Sequence, residues 1–398
     1  MRLQRLWCGR RLQEADLILA GPARDLRVDF FRGVALWMIF IDHIPDNWVA
    51  QWSLRNFALA DATEIFVLLA GYAAGIAYGG SYQRNGWLYA GADVLRRAST
   101  LYVAHIFLFV VFSAQVSYSA TALDRSDYLD EMNLDVLADA PYRAMLEALL
   151  LRFQPAYLNI LPLYVVLLAL LAPLLPLLRR PALLGTLSFS VYVGARAFGW
   201  NLPAWNGGGW YFNPVAWQFL FVLGVILSQR QFTMPSRLRA FDAAAGVVVI
   251  VGLVLNWVVW PSDAMSARVP RVLTQVLVSV DKEGLHPMRL LSILALTWLV
   301  VRLVPFAAAW LRSRWAAPFV LCGQHSLPVF CSGIFLSFLG RILMEEEGGW
   351  WAMQAVVNTV GPLLLVGIGA VAAWYRVKAR RRTPALPTVA HPDTAKAT

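Results

Sequence analysis

The chain has 398 residues, of which 59% are hydrophobic and only 15% charged, with a formal charge of +10. Soluble domains carry about 25% charged residues, so this composition excludes a soluble globular fold as well as a disordered chain. It also excludes a nucleic-acid binder, because the Arg residues fall between long apolar runs instead of forming one basic face.

The first 27 residues hold six Arg and no apolar core of signal-peptide length, so they read as a cytoplasmic basic tail. Ten candidate membrane spans follow, at about 30–45, 62–80, 98–117, 158–178, 182–199, 213–229, 243–260, 289–305, 317–340 and 351–375. Every second connection is basic: Arg84, Arg96 and Arg97; Arg179 and Arg180; Arg230, Arg237 and Arg239; Arg312 and Arg314; then Arg376 to Arg382. The positive-inside rule puts these in the cytoplasm. The intervening segments are acidic, with seven acids against three bases in 118–157 and a Glu345-Glu346-Glu347 run. The expected fold is therefore all-α, a polytopic transmembrane helix bundle with both termini cytoplasmic. Residues 28–376 form the membrane domain, 118–157 an acidic loop with short helices, and 377–398 a disordered tail. Cys8, Cys322 and Cys331 have no zinc or disulfide spacing, and no metal is expected.

The first span carries the clearest chemistry. Nine uncharged residues separate Arg32 from Asp42, a helical rise of about 14 Å, which is half a bilayer core. Charges at both ends of so short a run place at least one end at membrane depth, facing protein or a wet cavity. At about 100° per residue, Asp29, Arg32 and His43 fall within roughly 60° of one another and form a polar line. Asp29 and Arg32 read equally as an i,i+3 ion pair at the interface. The second span opens Asp61-Ala62-Thr63-Glu64; Glu64 either charge-balances His43 or completes an acidic first turn. Gly71, Gly75 and Gly79 recur every four residues as a close-packing face for another helix. His105 lies inside the third span and His325 opens the ninth, each a functional candidate or a packing residue. His286 reads as a loop residue, and His391 lies in the tail. Trp48, Trp52 and the stretch Asn206-Gly207-Gly208-Gly209-Trp210-Tyr211 serve either as interface anchors or as stacking faces for a sugar.

Arg24-Asp25, Asp29, Arg32-Gly33, Phe40-Ile41-Asp42-His43-Ile44-Pro45, Arg55-Asn56-Phe57, Asp61-Ala62, Glu64-Ile65-Phe66 and Gly71-Tyr72 together resemble the OpgC family of membrane proteins. The likeness continues through Arg97, Tyr102, His105, Leu161-Pro162, Asn213-Pro214, His286-Pro287, Arg289 and His325-Ser326-Leu327-Pro328, nearly the whole chain. The resemblance implies an acyltransferase of the membrane acyltransferase-3-like group in the bacterial inner membrane. It also implies succinylation of a periplasmic glucan from cytoplasmic acyl-CoA, with succinyl-CoA as co-substrate and no bound cofactor. The expected partners are the lipid bilayer, the glycan acceptor and the acyl-CoA donor, with no nucleic acid; a homo-oligomer is compatible with the sequence.

In such chemistry His43 serves as the general base, Asp42 or Glu64 orients it, and Arg32 faces the donor or oxyanion, with Asp29 in the same line. Arg96 and Arg97 either meet the CoA phosphates at the inner mouth or only mark the cytoplasmic side. His105 and His325 are the other histidines in reach of the donor path. A continuous polar channel from the inner side to His43 is expected. Direct transfer and an enzyme-bound intermediate both fit. The competing reading is a proton-coupled transporter or flippase for a small anionic or lipid-linked solute, which also uses intramembrane Asp, Glu and His. Such a carrier commonly shows an inverted repeat, and none is visible here.

Overall fold

The computed structural model describes residues 25–229, 239–256 and 280–382. The basic N-terminal tail with Cys8 and Arg24, the bases Arg230 and Arg237, residues 257–260 of the seventh expected span, and the tail from Thr383 with His391 lie outside them. The described residues form helices joined by turns and loops, without a β-strand; one isolated bridge joins Pro203 and Gly209.

In chain order the helices are α1 (Leu26–Asp42), α2 (Ala62–Ala122), α3 (Asp127–Glu131), α4 (Val136–Asp139), α5 (Pro141–Leu149) and α6 (Ile160–Leu174). They continue as α7 (Pro181–Phe198), α8 (Pro214–Gln229), α9 (Arg239–Val254), α10 (Pro287–Leu303), α11 (Ala317–Gln324), α12 (Ser326–Glu346) and α13 (Trp351–Arg382). Among the described residues, each of the ten expected apolar segments overlaps a helix. Among the described residues, four stretches are long and apolar enough to cross a membrane: α2, Ile160–Arg179, α12 and Trp351–Ala379. Helices α1 and α10, at 17 residues each, rise only about 25 Å and fall a turn short of a hydrocarbon core.

The second and third expected spans are continuous in α2, with Gly86 between them at φ 81°, ψ 177°. That conformation suits glycine because it carries no Cβ. The Ser81 hydroxyl donates to Asp93 Oδ2 at 3.1 Å across the bend. Twelve residues of straight helix would separate the two by about 18 Å, so the chain folds back at Gly86. The expected loop is thus one sharp corner between two helical arms.

The ninth expected span is two helices. The ladder breaks at His325 (φ −117°, ψ 39°), which ends α11 and starts α12. His325 therefore sits at an interior break, eight residues beyond the segment's start. Helix α13 runs on through Arg382, so residues 377–382 are helical instead of belonging to a disordered tail. The Arg, Lys and Ala residues there are strong helix formers and carry the ladder onward.

Small residues set the closest approaches. A Cβ on Gly71 would overlap the Phe221 carbonyl, one on Gly75 the Ser228 hydroxyl, and one on Gly79 the Gln229 amide. The four-residue glycine face thus lies against α8. A Cβ on Gly33 would strike the Phe319 carbonyl and one on Gly323 the Asp29 carbonyl, so α1 and α11 cross backbone to backbone.

The acidic 118–157 segment folds as α3, α4 and α5, the short helices expected of it. Tyr128, Leu134, Phe153 and Leu158 are fully buried beneath it. One hydrophobic core joins this cap to the long helices.

Candidate active site

His43 caps the C-terminus of α1, where the last carbonyls of a helix lack intrahelical donors. Its Nδ1 lies 2.5 Å from the Ile39 carbonyl oxygen. A carbonyl only accepts, so Nδ1 carries the proton and Nε2 keeps its lone pair. The Tyr157 hydroxyl donates to the His43 carbonyl at 3.0 Å, and the two rings meet edge-on with centroids 4.3 Å apart. Tyr157 adopts φ 71°, an unusual conformation for a non-glycine residue. It brings the end of the acidic cap onto the end of α1.

Asp42 points elsewhere. Its Oδ1 lies 3.5 Å from Arg55 Nε. The orienting place beside His43 Nδ1, expected for Asp42 or Glu64, is held by the Ile39 carbonyl. Glu64 is wholly buried. Its Oε2 accepts the Asp61 backbone N–H at 2.9 Å, closing a capping box at the start of α2. Its Oε1 accepts Arg289 Nε at 2.7 Å. Arg289 Nη2 reaches Asp61 Oδ2 at 3.1 Å, and Lys282 Nζ reaches the same oxygen at 2.6 Å. Two acids and two bases thus form a closed cluster. Burial alone would raise the Asp61 carboxyl; Lys282 and Arg289 override it and hold Asp61 well below the usual carboxylate range. Asp61 and Lys282 of this cluster also lie within electrostatic reach of Asp42 and His43, with opposing signs.

His286 has more than a loop role. Its Nδ1 accepts the Met288 N–H at 3.2 Å and caps α10 just ahead of Arg289.

Of the polar line on α1, Asp29 is buried at the α1–α11 crossing and Arg32 donates from Nη2 to the Leu69 carbonyl at 2.9 Å. Arg32 therefore bridges α1 to the middle of the first arm of α2. His43 occupies the end of the same helix.

A second locus lies in the corner at Gly86. Tyr78, Ser81, Arg84 and Asn85 on one arm, with Asp93, Arg96, Arg97 and Thr100 on the other, line a cavity of about 480 Å³. Arg96 lies 3.7 Å from Asp93. Arg96 and Arg97 thus share a cavity with Arg84, which the sequence reading places in the same basic connection without assigning it to the site. His105 lies farther along the second arm, fully buried, and neither ring nitrogen has a hydrogen-bond partner among the described residues. His325 is buried at the α11–α12 break, and its backbone N–H reaches Leu321 and Cys322 carbonyls. The structure does not place His105 or His325 among the residues lining the Gly86 corner.

The loop from His43 to α2 forms two short 3-10 turns, Trp48–Trp52 and Leu54–Asn56. Asp46, Asn47, Trp48, Ala50, Gln51, Arg55 and Asn56 line a cavity of about 420 Å³. Trp48 and Trp52 are 53% and 67% exposed. Trp210, by contrast, is buried and offers no stacking face.

Long apolar helices, buried ion pairs and polar residues at helix breaks define an all-helical protein of the membrane type. The family model described as "OpgC protein" matches residues 24–377, and the chain belongs to that family. Comparison with curated proteins and with solved structures returned no match.

Proposed function

We propose that this chain is an integral-membrane O-acyltransferase that moves an acyl group, succinyl in the family's named reaction, from cytoplasmic acyl-CoA to a hydroxyl of a periplasmic glycan. The observation that carries this reading is His43, whose Nδ1 is committed to the Ile39 carbonyl and whose Nε2 is thereby left as a base. Membership of the OpgC family supports the reaction class. The alternation of basic and acidic connections supports ten spans across the inner membrane with both ends cytoplasmic.

In this mechanism the acceptor hydroxyl attacks the thioester carbonyl while its proton passes to His43 Nε2. The tetrahedral intermediate bears negative charge on oxygen; Arg32, about 16 Å back along the helix from His43 and bonded to the Leu69 carbonyl, does not reach it and is left as a charge on the donor path. Collapse breaks the C–S bond. The thiolate takes the proton from the imidazolium and leaves as CoA thiol, with the ester as product. The roles of Asp42 and Glu64 are indirect: Asp42 holds Arg55 at the mouth, and Glu64 anchors Arg289 behind it. Arg84, Arg96 and Arg97 are suited to the donor's phosphates in the Gly86 corner.

The test is mass spectrometry of envelope glycans from wild type, a deletion strain, and the deletion carrying His43→Ala. One acyl increment should be present in wild type and absent from both others at equal protein level. Restoration by His43→Ala would move the base to His105 or His325. Solute flux without covalent change would replace the transferase with a carrier.

A further inference from the structure

We infer that the cavity formed by residues 46–56 is the acceptor subsite, a saccharide-binding mouth in which Trp48 stacks on a sugar ring and Gln51, Asn56 and Asp46 read its hydroxyls. This rests on the acyltransferase reading and assigns its acceptor side to particular residues.

Position is the first support. The cavity wall begins three residues after His43, and Arg55, which lines it, lies 3.5 Å from the carboxylate of Asp42, the residue preceding His43. A ring held there presents its hydroxyls next to the proposed base.

Rigidity is the second. Asn47 and Asn358 exchange amide hydrogen bonds at 3.0 and 2.9 Å. The Trp48 N–H donates to Gln354 Oε1 at 3.1 Å, and Gln354 Nε2 donates to the Asp46 carbonyl at 2.9 Å. Asn47 Oδ1 caps the first turn, and Asn56 Nδ2 bonds the Ala50 carbonyl at 2.7 Å. The loop backbone is thus fastened to α13 and to itself. Asp46, Trp48, Gln51 and Arg55 nevertheless remain exposed at the cavity. Pre-organisation of this kind lowers the cost of ligand binding. An interface anchor needs only a tryptophan at the right depth and no fastened polar cavity.

Composition is the third. A pyranose ring has an apolar C–H face and a rim of hydroxyls that both donate and accept. An indole matches the face, and planar amides and carboxylates match the rim. The cavity holds one carboxylate, Asp46, and one guanidinium, Arg55, the latter already facing Asp42. No excess of either sign remains, so a neutral polyhydroxy ligand fits better than an anion. The volume of about 420 Å³ lies within the range of small-ligand sites.

The test uses the purified full chain in nanodiscs and a short neutral gluco-oligosaccharide, with binding read by saturation-transfer NMR and calorimetry. Trp48→Ala should weaken binding and raise the acceptor KM about tenfold, with the acyl-CoA KM unchanged. Gln51→Ala should raise it severalfold, and Trp48→Phe, which keeps a ring, should fall between. Wild-type binding in both Trp48→Ala and Gln51→Ala overturns the subsite. So does a loss of protein from the membrane with an unaltered acceptor KM, the mark of an anchor. If Trp48→Ala does not accumulate, Trp48→Phe and Gln51→Ala decide. His43→Ala should bind the oligosaccharide normally. Saccharide binding without acyl transfer by wild type would overturn the transferase while leaving the subsite, and transfer with unchanged KM in the cavity variants would do the reverse.

Discussion

Arg289 joins the two acids at the start of α2. Its Nε holds Glu64 at 2.7 Å and its Nη2 holds Asp61 at 3.1 Å, while Glu64 has no exposure to solvent. Arg289→Ala would leave the Glu64 carboxylate buried with only the Asp61 N–H as a partner. Removing one member of a buried pair costs about 3–5 kcal/mol, because the remaining charge is uncompensated. Asp61 is buffered, since Lys282 stays 2.6 Å away, so the loss should come from Glu64 and sit at the upper end only if the capping box fails too. Arg289→Lys keeps the charge and loses the fork that spans both acids; it should recover about half of the loss. The double variant Glu64→Leu with Arg289→Met removes both charges and should be closer to wild type than Arg289→Ala. Unfolding in mixed micelles titrated with a denaturing detergent measures all four. A loss below about 1 kcal/mol in Arg289→Ala, the range of an exposed pair, would show that Glu64 is solvated and would refute the reasoning.

The Asp61 carboxyl is held below its ordinary value, so its contribution to stability is present above about pH 4 and is lost as pH falls further, toward its folded-state value. Unfolding midpoints should drop as pH falls below about 4, and Asp61→Asn should remove part of that drop. Gly71→Ala drives a methyl onto the Phe221 carbonyl and should destabilise by about 1–3 kcal/mol, whereas Ala substitution at Gly246, where the Cβ meets open space, should not. Tyr157→Phe keeps the ring against His43 and deletes the hydroxyl to its carbonyl; we expect lower kcat with little change in either KM, and a stability loss of about 0.5–1.5 kcal/mol by thermal unfolding.

The helices were legible because bilayer-length apolar runs have few alternatives. The glycine face of the second span was legible too, since a spacing of four on a helix points to one side whatever the partner is. The partner, α8, was not, because nothing local encodes which helix approaches. The Gly86 corner was hidden for a related reason: Arg84 to Arg97 reads as a loop by charge, and only the Ser81–Asp93 bond shows that helix continues through it. The Glu64–Arg289 pair spans 225 residues and leaves no periodic trace. A signal was nonetheless available. Lys282 and Arg289 are bases in a connection where the positive-inside rule disfavours them, and Asp61 and Glu64 are acids bordering an apolar run. Charges misplaced by one rule are candidates to satisfy charges misplaced by another. Tyr157 had no such mark, and neither did the identity of the group that orients His43.

A histidine next to an aspartate in sequence invites the familiar picture of a carboxylate-oriented base. At the end of α1 the nearest acceptor is instead the Ile39 backbone carbonyl, which also takes the His43 N–H at 3.3 Å. The Ile39 carbonyl fixes the tautomer without bringing a negative charge to the ring. A carboxylate in that place would stabilise the imidazolium and make the base stronger but slower to release its proton to a leaving thiolate. A neutral acceptor favours the uncharged ring. For transfer between a thiol ester and an alcohol, where the same proton must be taken and given back, that is the better compromise. It also frees Asp42 to hold Arg55 at the rim of the cavity, so a single turn at the end of α1 orients the base and shapes the mouth beside it.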